Sequence, residues 1–158
     1  MASEALKAAQ QCLAIQSVNL DHGYCKTRND FDPSSIDAET SLSQSFKALE
    51  LAEELQLAND DDIQGYRFIY TLGFRLVGSE EDTDIENYEP QLEIIGSFCA
   101  RYNCQRKLTE DEVRAFSENN VAYHVWPYWR EYLQNMSARM GMKEVIEVPM
   151  YMIEKSSN

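Results

Sequence analysis

The chain lacks the usual marks of a metal, nucleotide or nucleophile site. Its four cysteines, Cys12, Cys25, Cys99 and Cys104, form no CxxC pair of the zinc type. Cys99 and Cys104 sit at a predicted strand end with side chains on opposite faces, which argues against a shared zinc or redox role. The two histidines, His22 and His124, lie far apart, and neither has metal-ligand spacing. No phosphate-cradling glycine loop, nucleophile elbow or HExxH is present. Positive charge is also short: 14 basic against 27 acidic residues give a formal −13. Such a surface repels phosphate backbones and anionic lipid heads, so neither nucleic acid nor membrane insertion is expected. No apolar run approaches the roughly 20 residues of a membrane span. The start, Met1 to Gln11, lacks the basic region and continuous apolar stretch of a signal peptide. The reading that follows is a cytoplasmic protein with reduced thiols, no metal and no cofactor.

What is there is enough apolar material for a core. At 158 residues, 44% apolar and 11% aromatic, the chain suits a single domain over residues 1–158. Residues 3–13 read as a short helix capped by Ser3, with Leu6, Ala9 and Leu13 on one face. Ala14–Arg28 alternates as a strand, and Asn29–Thr40 is a polar loop. Ser41–Ala58 is ambiguous, since its composition (ALELAEELQLA) has high helix propensity and Leu42, Phe46, Leu49 and Leu57 fit a helical stripe. Gly65–Val77 and Gln91–Tyr102 are clear strands of period 2. In the first, Tyr66, Phe68, Tyr70, Leu72, Phe74 and Leu76 line one face, and Arg67, Thr71 and Arg75 line the other. Between them Gly78–Pro90 is an acidic hairpin loop without the central glycine and ligand spacing of a calcium loop. It reads as a solvated tip, and Asp60-Asp61-Asp62 reads the same way.

Thr109 and Glu112 predict a capping box at the start of a short helix over Leu108–Phe116. Asn119-Asn120 is then expected to cap a longer helix, Val121–Met140, ended by Gly141. Trp126, Trp129, Leu133, Met136 and Met140 form its apolar stripe, and Pro127 marks either its first turn or a kink. An extended tail, Lys143–Ile153, follows. The expected architecture is α+β, an antiparallel sheet covered by a long C-terminal helix. Aromatic and methionine side chains exceed what one small sheet needs, which points to ordinary core plus either an oligomer interface or a surface for extended chains.

The run VAYHVWPYWREYLQNMSARMGM resembles the signature helix of the SecB family. Trp126, Pro127, Tyr128, Arg130 and Glu131 match its aromatic-Pro-Tyr-x-Arg-Glu core, and Arg139 with Gly141 matches its close. VIEVPMY (Val145–Tyr151) is similar to the crossover segment after that helix. The two aromatic strands and LTEDEVRAF resemble in particular the SecB-like proteins of toxin–antitoxin systems. This resemblance implies a four-stranded antiparallel sheet with a short N-terminal helix, Ser41–Ala58 being a strand. The domain then divides into an N-terminal helix (1–13), a sheet (14–107), and helices with an extended tail (108–158). It also implies a homotetramer, a dimer of dimers, that binds unfolded polypeptides without ATP. The partner would be an exported preprotein handed to SecA, or a dedicated client such as an antitoxin. The residues expected in core or client groove are Phe68, Tyr70, Phe74, Trp129, Leu133, Met136, Met142 and Met150. No catalytic residue is expected. The alternative is a helix-grip protein holding a small ligand or lipid in a closed cavity.

Overall fold

The computed structural model describes residues 2–56 and 63–150. In chain order it contains α1 (Glu4–Cys12), β1 (Leu13–Thr27), β2 (Ser41–Gln56), β3 (Ile63–Gly78), β4 (Leu92–Cys104), α2 (Glu110–Phe116) and α3 (Ala122–Arg139). The strands form one antiparallel sheet in the order β1-β4-β3-β2. The two strongly alternating strands, β3 and β4, take the centre. Their register sets Tyr66 beside Tyr102, Tyr70 beside Phe98 and Phe74 beside Ile94 on one face. That face is covered by the helices and holds the core, with Phe68, Leu92, Ile94 and Ala100 fully buried.

The segment Ser41–Gln56 is a strand, against its local helix propensity. It pairs with β3 along its whole length, from Ser41 opposite Gly78 to Gln56 opposite Ile63, with a bulge at Glu50. Pairing along 16 residues outweighs a preference of a few tenths of a kcal/mol per residue. Its charged side chains suit a sheet edge, where they discourage pairing with other chains. Asp60-Asp61-Asp62 lies outside the described residues.

The acidic loop after β3 is exposed at its tip, as expected, and is anchored at Glu81. Arg28 donates to both Glu81 oxygens at 3.0 and 2.9 Å, and Tyr88 Oη donates to Oε1 at 2.7 Å. These bonds, Arg28 first, hold the Glu81 carboxyl down to about 2. Asn119-Asn120 does not cap a helix. The chain stays helical from α2 through a π-turn, Ser117–Val121, into α3. The Asn119 amide instead donates to the Ala115 carbonyl at 2.7 Å, and the Ser117 hydroxyl donates to Arg114 O. These side-chain bonds occupy carbonyls of the preceding turn and divert the ladder to i→i+5 spacing.

The other helix signals stand where the residues put them. Ser3 Oγ accepts from Leu6 N, and Thr109 with Glu112 closes the full capping box. Gly141, at φ +97, ends α3 in a Schellman turn, with Gly141 N donating to Ala138 O and Met142 N to Ser137 O. Pro127 lies inside α3 rather than in its first turn.

Candidate functional site: an apolar groove beside the long helix

α3 packs mainly on β4, with smaller contacts to β1 and β3. Its buried residues are Ala122, Val125, Trp129, Tyr132, Leu133 and Ser137, so the core side is turned slightly from the Trp126-to-Met140 stripe. Tyr132 sets the lean of the helix. A Cβ at Gly23 would overlap its hydroxyl, and one at Gly96 would crowd its ring at 3.1 Å, so the two glycines let it lie this close. Its ring stands edge-on to Phe98 at 5.9 Å, and burial pushes its hydroxyl up to about 12.

Leaning toward β1 and β4 leaves the β2 side of the same face uncovered. The β2 residues that face this way are small or polar there: Ser43, Ser45 and Lys47. The result is a groove of about 730 Å³, open to solvent along one side. Leu72, Phe74 and Leu76 form its floor, and Trp126, Trp129 and Leu133 form the α3 wall. The returning tail makes the remaining wall. Trp126 Nε1 donates to Pro149 O at 2.7 Å, Gln134 Nε2 donates to Ile146 O at 3.4 Å, and Val148 is buried. Val145, on the groove side of this strap, is 73% exposed. A second hollow, about 650 Å³, lies on the outer side of α3 around Tyr123, Trp126, Pro127, Arg130, Glu131 and Met150.

The expected site residues separate accordingly. Phe68 and Tyr70 are buried in the core, away from either opening. Phe74, Trp129, Leu133 and Met142 line the groove, the first three as buried floor and wall. Met136 packs half-buried on the core. Met150 lines the outer hollow with the motif residues Trp126, Pro127, Arg130 and Glu131, while Tyr128 is exposed on the same helix. Sequence reasoning did not single out Ile146 or Val148 as groove residues. Their signal was the alternation of VIEVPMY, which marks a segment with one buried side.

One polar chain on the open face of the sheet has the distances of a catalytic relay. Ser97 Oγ lies 3.1 Å from His22 Nε2, and His22 Nδ1 lies 2.8 Å from Asp21 Oδ2. Thr71 Oγ1 completes it, 2.6 Å from Ser97 Oγ. Ser97 is fully buried in mid-strand, paired with His22 on one side and Thr71 on the other. Its hydroxyl, buried within the sheet, cannot meet a substrate. The chain satisfies two buried hydroxyls. His124 is likewise spent on structure, its Nδ1 being 2.9 Å from Tyr102 Oη, and burial lowers its pKa. Among the described residues no three His, Cys, Asp or Glu side chains are placed to hold a metal ion. No described helix is long and apolar enough to cross a membrane.

No family model and no curated protein matches the chain. Among solved structures it resembles the Mycobacterium tuberculosis SecB-like chaperone Rv1957 in complex with a ChAD peptide from the HigA1 antitoxin. The identity is 13%, the match covers 96% of this chain and 100% of that one, and the TM-score is 0.70. A four-stranded sheet, a short N-terminal helix and a long C-terminal helix coincide over nearly the whole length, so the chain has the fold of a SecB-like chaperone.

Proposed function

We propose that the chain is a holding chaperone, which captures extended, non-native polypeptides in the groove between β2, β3, α3 and the returning tail. The observation that carries this is the groove itself, an open apolar trough rather than an enclosed pocket. Burying about 1,000 Å² of apolar client surface there is worth about 25 kcal/mol gross at ~25 cal/mol per Å². Ordering the client and association entropy remove most of it, leaving micromolar or tighter binding. Nothing in this scheme uses nucleotide hydrolysis or a catalytic residue. The helix-grip alternative needs an empty cavity between sheet and helix. That space is filled by aromatic packing, Tyr102 against Phe116 at 5.0 Å and Phe98 against Tyr132.

Two client classes fit. The solved relative carries an antitoxin peptide, and by analogy a dedicated client of this kind is our first reading. Preprotein export through SecA is the second. Assembly as a homotetramer is part of the same proposal, because α3 turns Tyr123 and Tyr128 outward, 53% and 47% exposed. That none of the four cysteines is joined in a disulfide suits a reducing cytoplasm. The test is suppression of aggregation of a heat-labile protein, with and without ATP, beside sedimentation equilibrium. Equal protection in both and a tetrameric mass are expected. No protection by a monomer that releases a bound lipid on denaturation would overturn the proposal.

A further inference from the structure

The face of the sheet away from the helices carries an unusual rung. Arg67 and Arg101 stand directly opposite each other on β3 and β4. Like charges so placed repel, and the chain as a whole has few cations to spare. Glu53 on β2 forms an ion pair with Arg67 and answers one of the two charges. Arg101 is exposed and has no hydrogen-bond or ion-pair partner among the described residues. The Nε of Arg67 is buried without an acceptor. On the far side of Arg101 stands Ser17 of β1, a neutral donor. One more acceptor with two oxygens would bridge the guanidiniums and satisfy the rung.

Along the same face the neighbouring rungs are apolar. Ile69 and Leu51, both half-buried, lie about 7 Å away, two residues along the strands. Ile95, Tyr24 and Phe46 lie about 20 Å away, six residues along. Tyr24 and Phe46 are each about half exposed, 48% and 50%. An extended chain therefore meets charge at one point and apolar surface two and six residues from it.

We propose that the Arg67–Arg101 rung is a carboxylate site for a bound polypeptide, taking an Asp or Glu side chain with apolar residues two and six positions away. The site rests on the holding function but lies on the opposite face from the groove, so it adds a selection the groove does not make. It favours acidic segments in a protein whose overall charge disfavours them.

The test uses three labelled peptides with apolar residues at −6, −2, +2 and +6 around a central Glu, Gln or Lys, a pattern independent of chain direction. Binding is measured by anisotropy to the full chain and to Arg101→Gln, a change at an exposed, unpaired side chain that leaves folding intact. In the wild type the Glu peptide is expected to bind about threefold more tightly than the Gln peptide, with Lys weaker still. The preference should shrink in 0.5 M salt and vanish in R101Q. Equal binding of Glu and Gln peptides, or a Glu preference that survives R101Q, overturns the site and leaves the holding function standing. No binding of any peptide overturns both.

Discussion

Glu112 shows how much one carboxylate does at the start of α2. It accepts from Thr109 N at 2.9 Å to close the capping box, and it takes both Arg106 guanidinium nitrogens at 2.8 and 2.9 Å. Arg106, and then the Thr109 backbone, lower its pKa from the usual 4.5 to about 2. A carboxylate whose folded pKa is lowered stabilises fully above its unfolded value, and that stability is lost as pH falls through the folded one. Glu81 has the same shift from Arg28 and Tyr88. Half-buried His124 works in the same direction at higher pH, because its unfolded form takes a proton more readily below 6.5. Thermal unfolding should therefore show a shallow loss of stability below about 6.5 and a steeper one between about 4.5 and 2. Glu112→Gln is expected to cost about 1 kcal/mol at neutral pH and to flatten the acid limb. A variant whose melting curve tracks the wild type at every pH would show that the box contributes nothing.

The same scale shows what a sequence reveals. Thr109 and Glu112, Ser3 and Gly141 were legible because each acts through its own neighbours. The Asp21–His22–Ser97–Thr71 chain was not, since it joins β1, β4 and β3 and depends on a register no local pattern states. The Arg67–Arg101 rung was hidden for the same reason.

Among the elements, β3 and β4 followed from alternation, whereas β2 contradicted its composition. What made β2 a strand is its partner, and the implied family architecture, not propensity, pointed that way. The boundary between α2 and α3 was misread for the opposite reason: two asparagines have strong capping preference, yet side-chain bonds to carbonyls one turn back kept the backbone helical. Pro127 raises a separate question at this scale. Deep in α3 it removes the donor that Tyr123 O would receive, which costs up to about 3 kcal/mol, and its ring is exposed. Pro127→Ala is expected to raise the melting temperature, by about 1–3 kcal/mol of added stability. A fall would show that the ring supports packing beyond the helix.

The strap is the weakest element by construction. Its described part, Met142 to Met150, has no ladder; it is held by the turn bond from Met142 N, two side-chain-to-backbone bonds, buried Val148 and part-buried Met142 and Ile146. Trp126→Phe keeps the aromatic wall and deletes the donor to Pro149 O. Global stability should change by about 1 kcal/mol or less, while hydrogen exchange and proteolysis across 143–150 speed up several-fold. Unchanged exchange there would mean that the apolar packing of Ile146 and Val148, not the Trp126 bond, fixes the strap.

At the scale of the molecule, the geometry follows from how one helix leans. Tyr132 needs Gly23 and Gly96 beneath it, which draws α3 toward β1 and β4 and leaves Ser43, Ser45 and Lys47 uncovered. The apolar floor laid bare is the continuation of the same core that holds the sheet to the helices. That continuity explains why Phe74, Trp129 and Leu133 serve as both core and wall, and why sequence alone could not divide Phe68 from Phe74. It also makes most wall residues poor probes, since Leu133→Ala would cost about 2–5 kcal/mol of folding stability along with any binding.

Val145 avoids that difficulty. It is exposed, lies in the strap, and faces the groove. The most direct measurement is the anisotropy of a labelled polypeptide, unfolded and folded, titrated with the wild type and with Val145→Asp. Micromolar or tighter binding of the unfolded form alone is predicted, weakened about tenfold by V145D with no change in melting temperature. Equal affinity for folded and unfolded forms, or unfolded-chain binding untouched by V145D, would contradict capture in the groove.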